Sequence, residues 1–319
     1  MRLDWNTLLN DKGIKFPKTL FFELEGTQAF RYGIDEEKRH CLYFEYPPSP
    51  LNRLIEPITL SKIQLKEGSF DHRNNLVLTL LDQSLVNQFS DLIINIVTEM
   101  LQTSSRHKAV FIRICNDWFE LFESANGSLG HQELQGVYAE LCFLQYLLLN
   151  SDQRFNDILL SWKGPFGKGH DFELNSNCFE IKSTISGAAF LHISSEYQLD
   201  YFPEQKLFLI VYQFQHQPVN GGTIKELVTD IYSELKTQTG TRMKLFWSAL
   251  SKTGLAINNL ENYDGHVFQI TSTESYNCSS GNFPSLRRQN IEPSIRNIKY
   301  DLVLPDLTDY LINNLSAFI

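Results

Sequence analysis

The chain has 319 residues, 42% of them hydrophobic and 13% aromatic, enough apolar material for one large domain or two ordinary ones. It carries 28 Lys and Arg against 37 Asp and Glu, a net charge of −9, which argues against a surface that wraps nucleic acid unaided. There is no membrane-length apolar run and no basic-then-apolar leader, and the five scattered cysteines include no C-x-x-C pair; a soluble, cytoplasmic chain with reduced thiols and neither zinc site nor disulfide framework is expected.

Residues 3–82 alternate short apolar runs with turn signals. Runs at 19–25, 40–46, 55–65 and 76–81 have strand length, and Gly26, Gly33, the Pro47-Pro48-Ser49-Pro50 cluster, Gly68 and Asn74-Asn75 punctuate them. They predict a small β-rich domain, a sandwich or half-barrel, serving as scaffold or as a recognition surface. Two helical patterns follow, with Leu85, Phe89, Leu92, Ile93, Ile96, Val97 and Met100 in the first and Phe111, Ile114, Cys115, Trp118, Phe119 and Phe122 in the second. Aromatic stripes of this kind are core, and no functional role is assigned to them.

A stronger helix pattern spans 127–150, with Leu134, Val137, Leu141, Leu144 and Leu148 as its stripe. Glu140 emerges beside Gly136, Phe143, Leu144 and Leu147 instead of on a charged face. A carboxylate there needs a metal, a base or a rim position, because burying it unpaired is costly.

The segment 167–184, GKGHDFELNSNCFEIKST, reads as a β-hairpin with a polar turn at Asn175, Ser176 and Asn177. Side chains alternate along a strand, so Glu180, Lys182 and Thr184 share one face and Phe179 and Ile181 the other; one face is expected to pack and the other to carry chemistry. Asp171 and Glu180 across the hairpin make a hard, anionic oxygen site suited to Mg²⁺ or Mn²⁺, with the Ile181 carbonyl as a further candidate ligand. Lys182 beside it is placed to orient or deprotonate a water, or to offset charge on a phosphate. E-x-K on a strand is usually two solvated side chains; Asp171 at hairpin distance is what lifts this one above that background.

The loop before the hairpin, 161–170, is glycine-rich without the phosphate-loop pattern G-x-x-x-x-G-K-[ST]. Either it is an ordinary surface loop or its Lys163, Lys168, His170 and backbone amides approach a phosphate beside the metal. A third strand at 188–193 contains His192, read as a core or rim histidine. A serine-capped helix is expected to start at 194, with Gln198 as a phosphate or water contact. Residues 206–214 form a continuous apolar strand and 224–235 an amphipathic helix. The remainder predicts a helix through Phe246 and Leu250, strands at 267–272 and 298–304, and a loop whose Arg287, Arg288 and Arg296 form the best basic cluster for a DNA backbone.

A helix acid followed by D…E-x-K, strand and helix resembles the PD-(D/E)XK nuclease superfamily. GVYAELCFLQYLL, WKGPFGKGHDFEL, FEIKST, FLHISSEYQL and the tail FPSLRRQNIEPSIRNIKYDLVL together resemble a member family known as a domain of unknown function in bacterial restriction and phage-defence clusters. The resemblance implies an α+β or α/β chain: an N-terminal β-rich domain (1–84), a helical connector (85–126), a restriction-endonuclease-like core with a mixed sheet flanked by helices (127–240), and a C-terminal α/β extension (241–319). It also implies a Mg²⁺- or Mn²⁺-dependent DNA endonuclease with Asp171 and Glu180 as metal ligands, Lys182 as the catalytic lysine and Glu140 as the helix acid. His170 stands where the superfamily pattern has proline. Cutting both strands favours a homodimer or partner subunits, and the alternative role is a non-catalytic or partner-dependent DNA-binding subunit of a defence complex.

Overall fold

The strand-length runs of the first 80 residues build one antiparallel sheet. In this computed structural model, residues 3–10, 16–23, 26–46, 55–70, 72–103, 107–123 and 129–319 are described, and the chain divides into two compact units, Met1–Asn126 and Gly127–Ile319. The first unit opens with a short helix, α1 (Trp5–Asn10), then β1 (Lys18–Phe21), β2 (Phe30–Ile34), β3 (His40–Glu45), β4 (Ile58–Thr59), β5 (Ile63–Phe70) and β6 (Arg73–Leu80). Their order in the sheet is β1-β2-β3-β6-β5-β4. Two helices complete it, α2 (Val86–Leu101) and α3 (His107–Phe122).

Alternation along the strands explains the packing. Leu42, Leu65, Leu76, Leu78 and Leu80 are fully buried, and Phe44 stacks on Phe111 of α3 with ring centroids 5.4 Å apart. A single sheet covered by helices is found where a sandwich or half-barrel was expected, and α2 and α3 are part of this core instead of a connector. Gly33, read as punctuation, lies inside β2: a Cβ there would meet the Lys18 carbonyl oxygen at 2.2 Å, so glycine permits the close approach of β1. Gly68 and Asn74-Asn75 likewise sit within β5 and β6, and the turn falls near His72, whose φ is +60°. The Pro47–Pro50 cluster and residues 127–128 lie outside the described residues.

The second unit starts with α4 (His131–Asn150) and α5 (Phe155–Ser161), then β7 (Phe172–Leu174), β8 (Asn177–Ile185), β9 (Phe190–Ile193), β10 (Lys206–Phe214), α6 (Ile224–Leu235), α7 (Met243–Lys252), β11 (Ile270–Asn277) and β12 (Tyr300–Val303). The main sheet runs β11-β10-β8-β7, with β8 and β10 parallel and the outer pairs antiparallel. On one face Phe143 of α4 packs against Phe172 and Phe179 at 5.0 and 5.1 Å. On the other, Cys178, Leu207, Leu209 and Val211 join Leu191, Ile193, Leu199, Tyr276, Phe283, Leu302 and Leu307 in a second core.

That second core changes the expected layout. Among the described residues β9 pairs only with β12, in a separate two-stranded sheet, and residues 196–199 form a turn where a helix was expected. The segment after 240 supplies β11 to the main sheet and most of the cover over one face of β8, so it completes the unit's core. Both faces of β8 are packed, the face that carries Glu180 and Lys182 included. No helix among the described residues is long and apolar enough to cross a membrane.

Candidate active site

The hairpin forms because Asn175 takes the left-handed region (φ +58°) between Leu174 and its partner Asn177. Asp171 stands just before β7 and is fixed at both ends. Its Oδ2 accepts the Ile181 N–H at 2.7 Å, and its backbone carbonyl accepts the N–H groups of Lys163 and Gly164 at 2.8 and 3.0 Å. The loop 163–170 therefore folds back on Asp171, through a 3₁₀ turn at Gly164–Phe166. Its first amides are consumed there, so they do not form the phosphate cradle that the glycine-rich composition suggested.

Glu140 reaches the same place from the middle of α4. Its Oε2 accepts the Trp162 indole N–H at 2.7 Å. A Cβ on Gly164 would lie 2.7 Å from Glu140 Oε2 and 2.9 Å from Asp171 Oδ1, so the two oxygens face one small cradle that only glycine leaves open. Burial pushes the Glu140 carboxyl up to about 7; the Trp162 hydrogen bond opposes this, the Glu180 charge adds to it, and Lys182 opposes it. Asp171 is held well above the ordinary carboxylate range, first by burial and then by the charges of Glu180 and Glu140, against the pull of the Ile181 N–H and Lys182.

Glu180, on β8 and 2% exposed, is the most enclosed of the three acids. One oxygen lies 3.1 Å from Lys182 Nζ and the other 3.7 Å from His170 Nδ1. Lys182, two residues on, shares its face, and the register sets them beside Leu209 and Val211 of β10. Asp171, Glu180, Lys182 and Glu140, singled out in sequence, are thus brought together by α4, the loop and the hairpin.

Among the described residues no three His, Cys, Asp or Glu side chains are drawn tightly enough to hold a metal ion. Glu140 and Asp171 face the same space beside Gly164, and Glu180 faces His170. Carboxylate oxygens crowded at raised proton affinity, two of them facing the cradle beside Gly164, and an orphaned His170 Nδ1 are donors of the kind a divalent cation takes, so by chemistry the set suits one once the side chains close on it.

The remaining candidates fall elsewhere. Lys163 is half-buried and Lys168 exposed on the loop. Gln198 accepts from Ser194 N and Oγ at 2.9 and 3.1 Å, tying off its own turn. Arg287 lies over the Tyr201 ring at 3.9 Å and donates to the Tyr201 carbonyl at 2.6 Å, while Arg288 donates to Ile295 O at 2.7 Å and faces Glu196 at 3.7 Å. Both guanidinium groups thus brace the chain around them; Arg296 is exposed. His192 is an exposed cross-strand partner of Asp301 at 2.8 Å. Sequence reasoning missed Trp162 and Gly164; the only signal was their place in WKG, nine and seven residues before Asp171.

No curated protein and no solved structure matches the chain. A family model described as "Putative PD-(D/E)XK family member (DUF4420)" matches residues 1–305. With nearly the whole chain matched, from the N-terminal sheet through the acid cluster to β12, the protein belongs to this PD-(D/E)XK-like family.

Proposed function

We propose that the chain is a divalent-metal-dependent DNA endonuclease, serving as a restriction or phage-defence enzyme. The observation that carries the reading is the convergence of Glu140, Asp171 and Glu180 with Lys182, three acids sharing one nearby cation, inside a chain of this family. Structural ion pairs do not need such an excess of like charge; a site for Mg²⁺ or Mn²⁺ does.

Glu140, Asp171 and Glu180 are the residues that would hold the ion. When bound it would polarise the scissile phosphate and lower the proton affinity of a water. Trp162 holds Glu140 Oε2, and the Ile181 amide holds Asp171 Oδ2, so Glu140 Oε2 and Asp171 Oδ1 are set facing the Gly164 cradle before substrate arrives. Lys182 Nζ, fixed by Glu180, is the group to orient the attacking water and to offset charge on the phosphate. Attack forms a bond from water oxygen to phosphorus and breaks the phosphorus bond to the leaving sugar oxygen, which takes up a proton. Two such chains, or one with partner subunits, would cut both strands.

The test is incubation of plasmid and phage DNA, methylated and unmethylated, with purified protein and Mg²⁺ or Mn²⁺, beside a chelated control. Metal-dependent strand breakage is expected, and its absence on every substrate would remove the stand-alone enzyme. A second reading, a subunit that acts only with partners, is favoured by enclosure: the Glu180 and Lys182 side chains are 3% and 15% exposed. Cleavage that appears only when a co-purified partner is added back would select it.

A further inference from the structure

His170 has a placement that the nuclease reading does not use. Its ring is 7% exposed, and Nδ1 makes no hydrogen bond. A buried polar atom without a partner is uncommon, and in a functional centre it points to a missing ligand. The group it faces is Glu180 Oε2, at 3.7 Å. That separation is too long for a hydrogen bond. It is shorter than a metal–nitrogen plus a metal–oxygen bond, about 4.2 Å, so one cation can bridge the two atoms without forcing them apart.

The surroundings hold both atoms in place. Glu180 is anchored through its other oxygen by Lys182 at 3.1 Å, which leaves Oε2 turned to the ring. His170 precedes Asp171, whose backbone carbonyl and carboxylate are each pinned by N–H donors. We propose that His170 is a metal ligand of this centre, adding one imidazole nitrogen to its carboxylate oxygens. The centre then favours divalent ions that accept nitrogen, such as Mn²⁺, Co²⁺ and Ni²⁺, over Mg²⁺ and Ca²⁺. This rests on the metal-dependent reading above, and it replaces the DNA-contact role that the sequence suggested for His170.

The test reads binding and coordination, not cleavage. Mn²⁺ is titrated into the full-length protein by calorimetry, and the bound ion is examined by electron spin-echo spectroscopy for coupling to an imidazole nitrogen. A His131→Ala background removes a competing source, since exposed His131 and His266 place their Nδ1 atoms 3.0 Å apart. The expected result is nitrogen coupling that disappears in His170→Asn, with Mn²⁺ affinity falling about tenfold or more and Mg²⁺ affinity much less affected. His170→Gln serves as a second variant, and thermal melts confirm that each one folds. Bound Mn²⁺ without nitrogen coupling, or coupling that survives in both variants, overturns the ligation and leaves the nuclease reading intact. Failure of the unmodified protein to bind any divalent ion overturns both.

Discussion

The two units handle buried and half-buried charge in opposite ways. In the first, the acids sit in ion pairs with nearby bases: Arg39 with Asp35 and Glu37 at 2.8 and 2.7 Å, Arg73 and Arg31 with Glu45 at 2.9 and 3.8 Å, and Lys108 with Glu67. In the second, Glu140, Asp171 and Glu180 crowd around Lys182, and two of the three acids are pushed towards the protonated form. Pairing of the first kind is neutral or mildly favourable to folding. Crowding of the second kind costs stability, and it persists where a ligand relieves it. The comparison separates a unit whose acids are matched by bases from one in which three acids crowd a single lysine, the arrangement on which the proposed metal site rests.

The largest expected effect is on chemistry. Lys182→Ala should lower the DNA cleavage rate about 100- to 1,000-fold with an unchanged circular dichroism spectrum; full activity in the variant would break the assignment. In the first unit, Leu78→Ala at a fully buried position should cost about 2–5 kcal/mol of stability. The same variant should leave divalent-ion affinity in calorimetry unchanged, whereas a matching loss of affinity would erase the contrast between the units. Gly164→Ala fills the cradle between Glu140 and Asp171 and should reduce cleavage and metal affinity about 10- to 100-fold, comparable to losing an outer-shell partner of a metal ligand. Trp162→Phe keeps a large ring and removes the indole N–H from Glu140; about tenfold weaker metal binding is expected by titration.

The smallest effect is in the pH dependence of melting. An acid whose proton affinity is raised on folding stabilises the fold at low pH and loses that stabilisation as pH rises. For Glu140 the loss runs from its ordinary value of 4.5 to the raised value of about 7. Divalent ions should therefore raise the melting temperature more at pH 8 than at pH 5, by a few degrees. An equal shift at both values would mean that the ion binds away from these acids.

Much of this was legible in sequence where local rules and tertiary structure agree. β10 and α6 occupy the predicted residues because a nine-residue apolar run and a Thr223–Glu226 capping box leave little choice. Asp171, Glu180, Lys182 and Glu140, which the fold brings together, could be singled out because strand alternation and helix spacing are readable one segment at a time. What was not legible depends on distant partners. Gly33 and Gly68 look like turns until the neighbouring strand is known, and residues 196–199 make a turn that Gln198 ties off with its side chain. Cys278 and Tyr300, about 100 positions later in the chain, lie close enough to feel the Glu180 charge. Trp162 acts through one N–H on an acid 22 residues earlier, a contact that no local pattern encodes.

The most direct test is a paired measurement on the wild type and Asp171→Asn: Mn²⁺ titration by calorimetry at neutral pH, and a melt without metal. Removing one crowded negative charge should abolish or greatly weaken Mn²⁺ binding and, at the same time, raise the metal-free melting temperature. A wild type that binds no ion, or an Asp171→Asn variant that binds as tightly and melts no higher, would contradict the account.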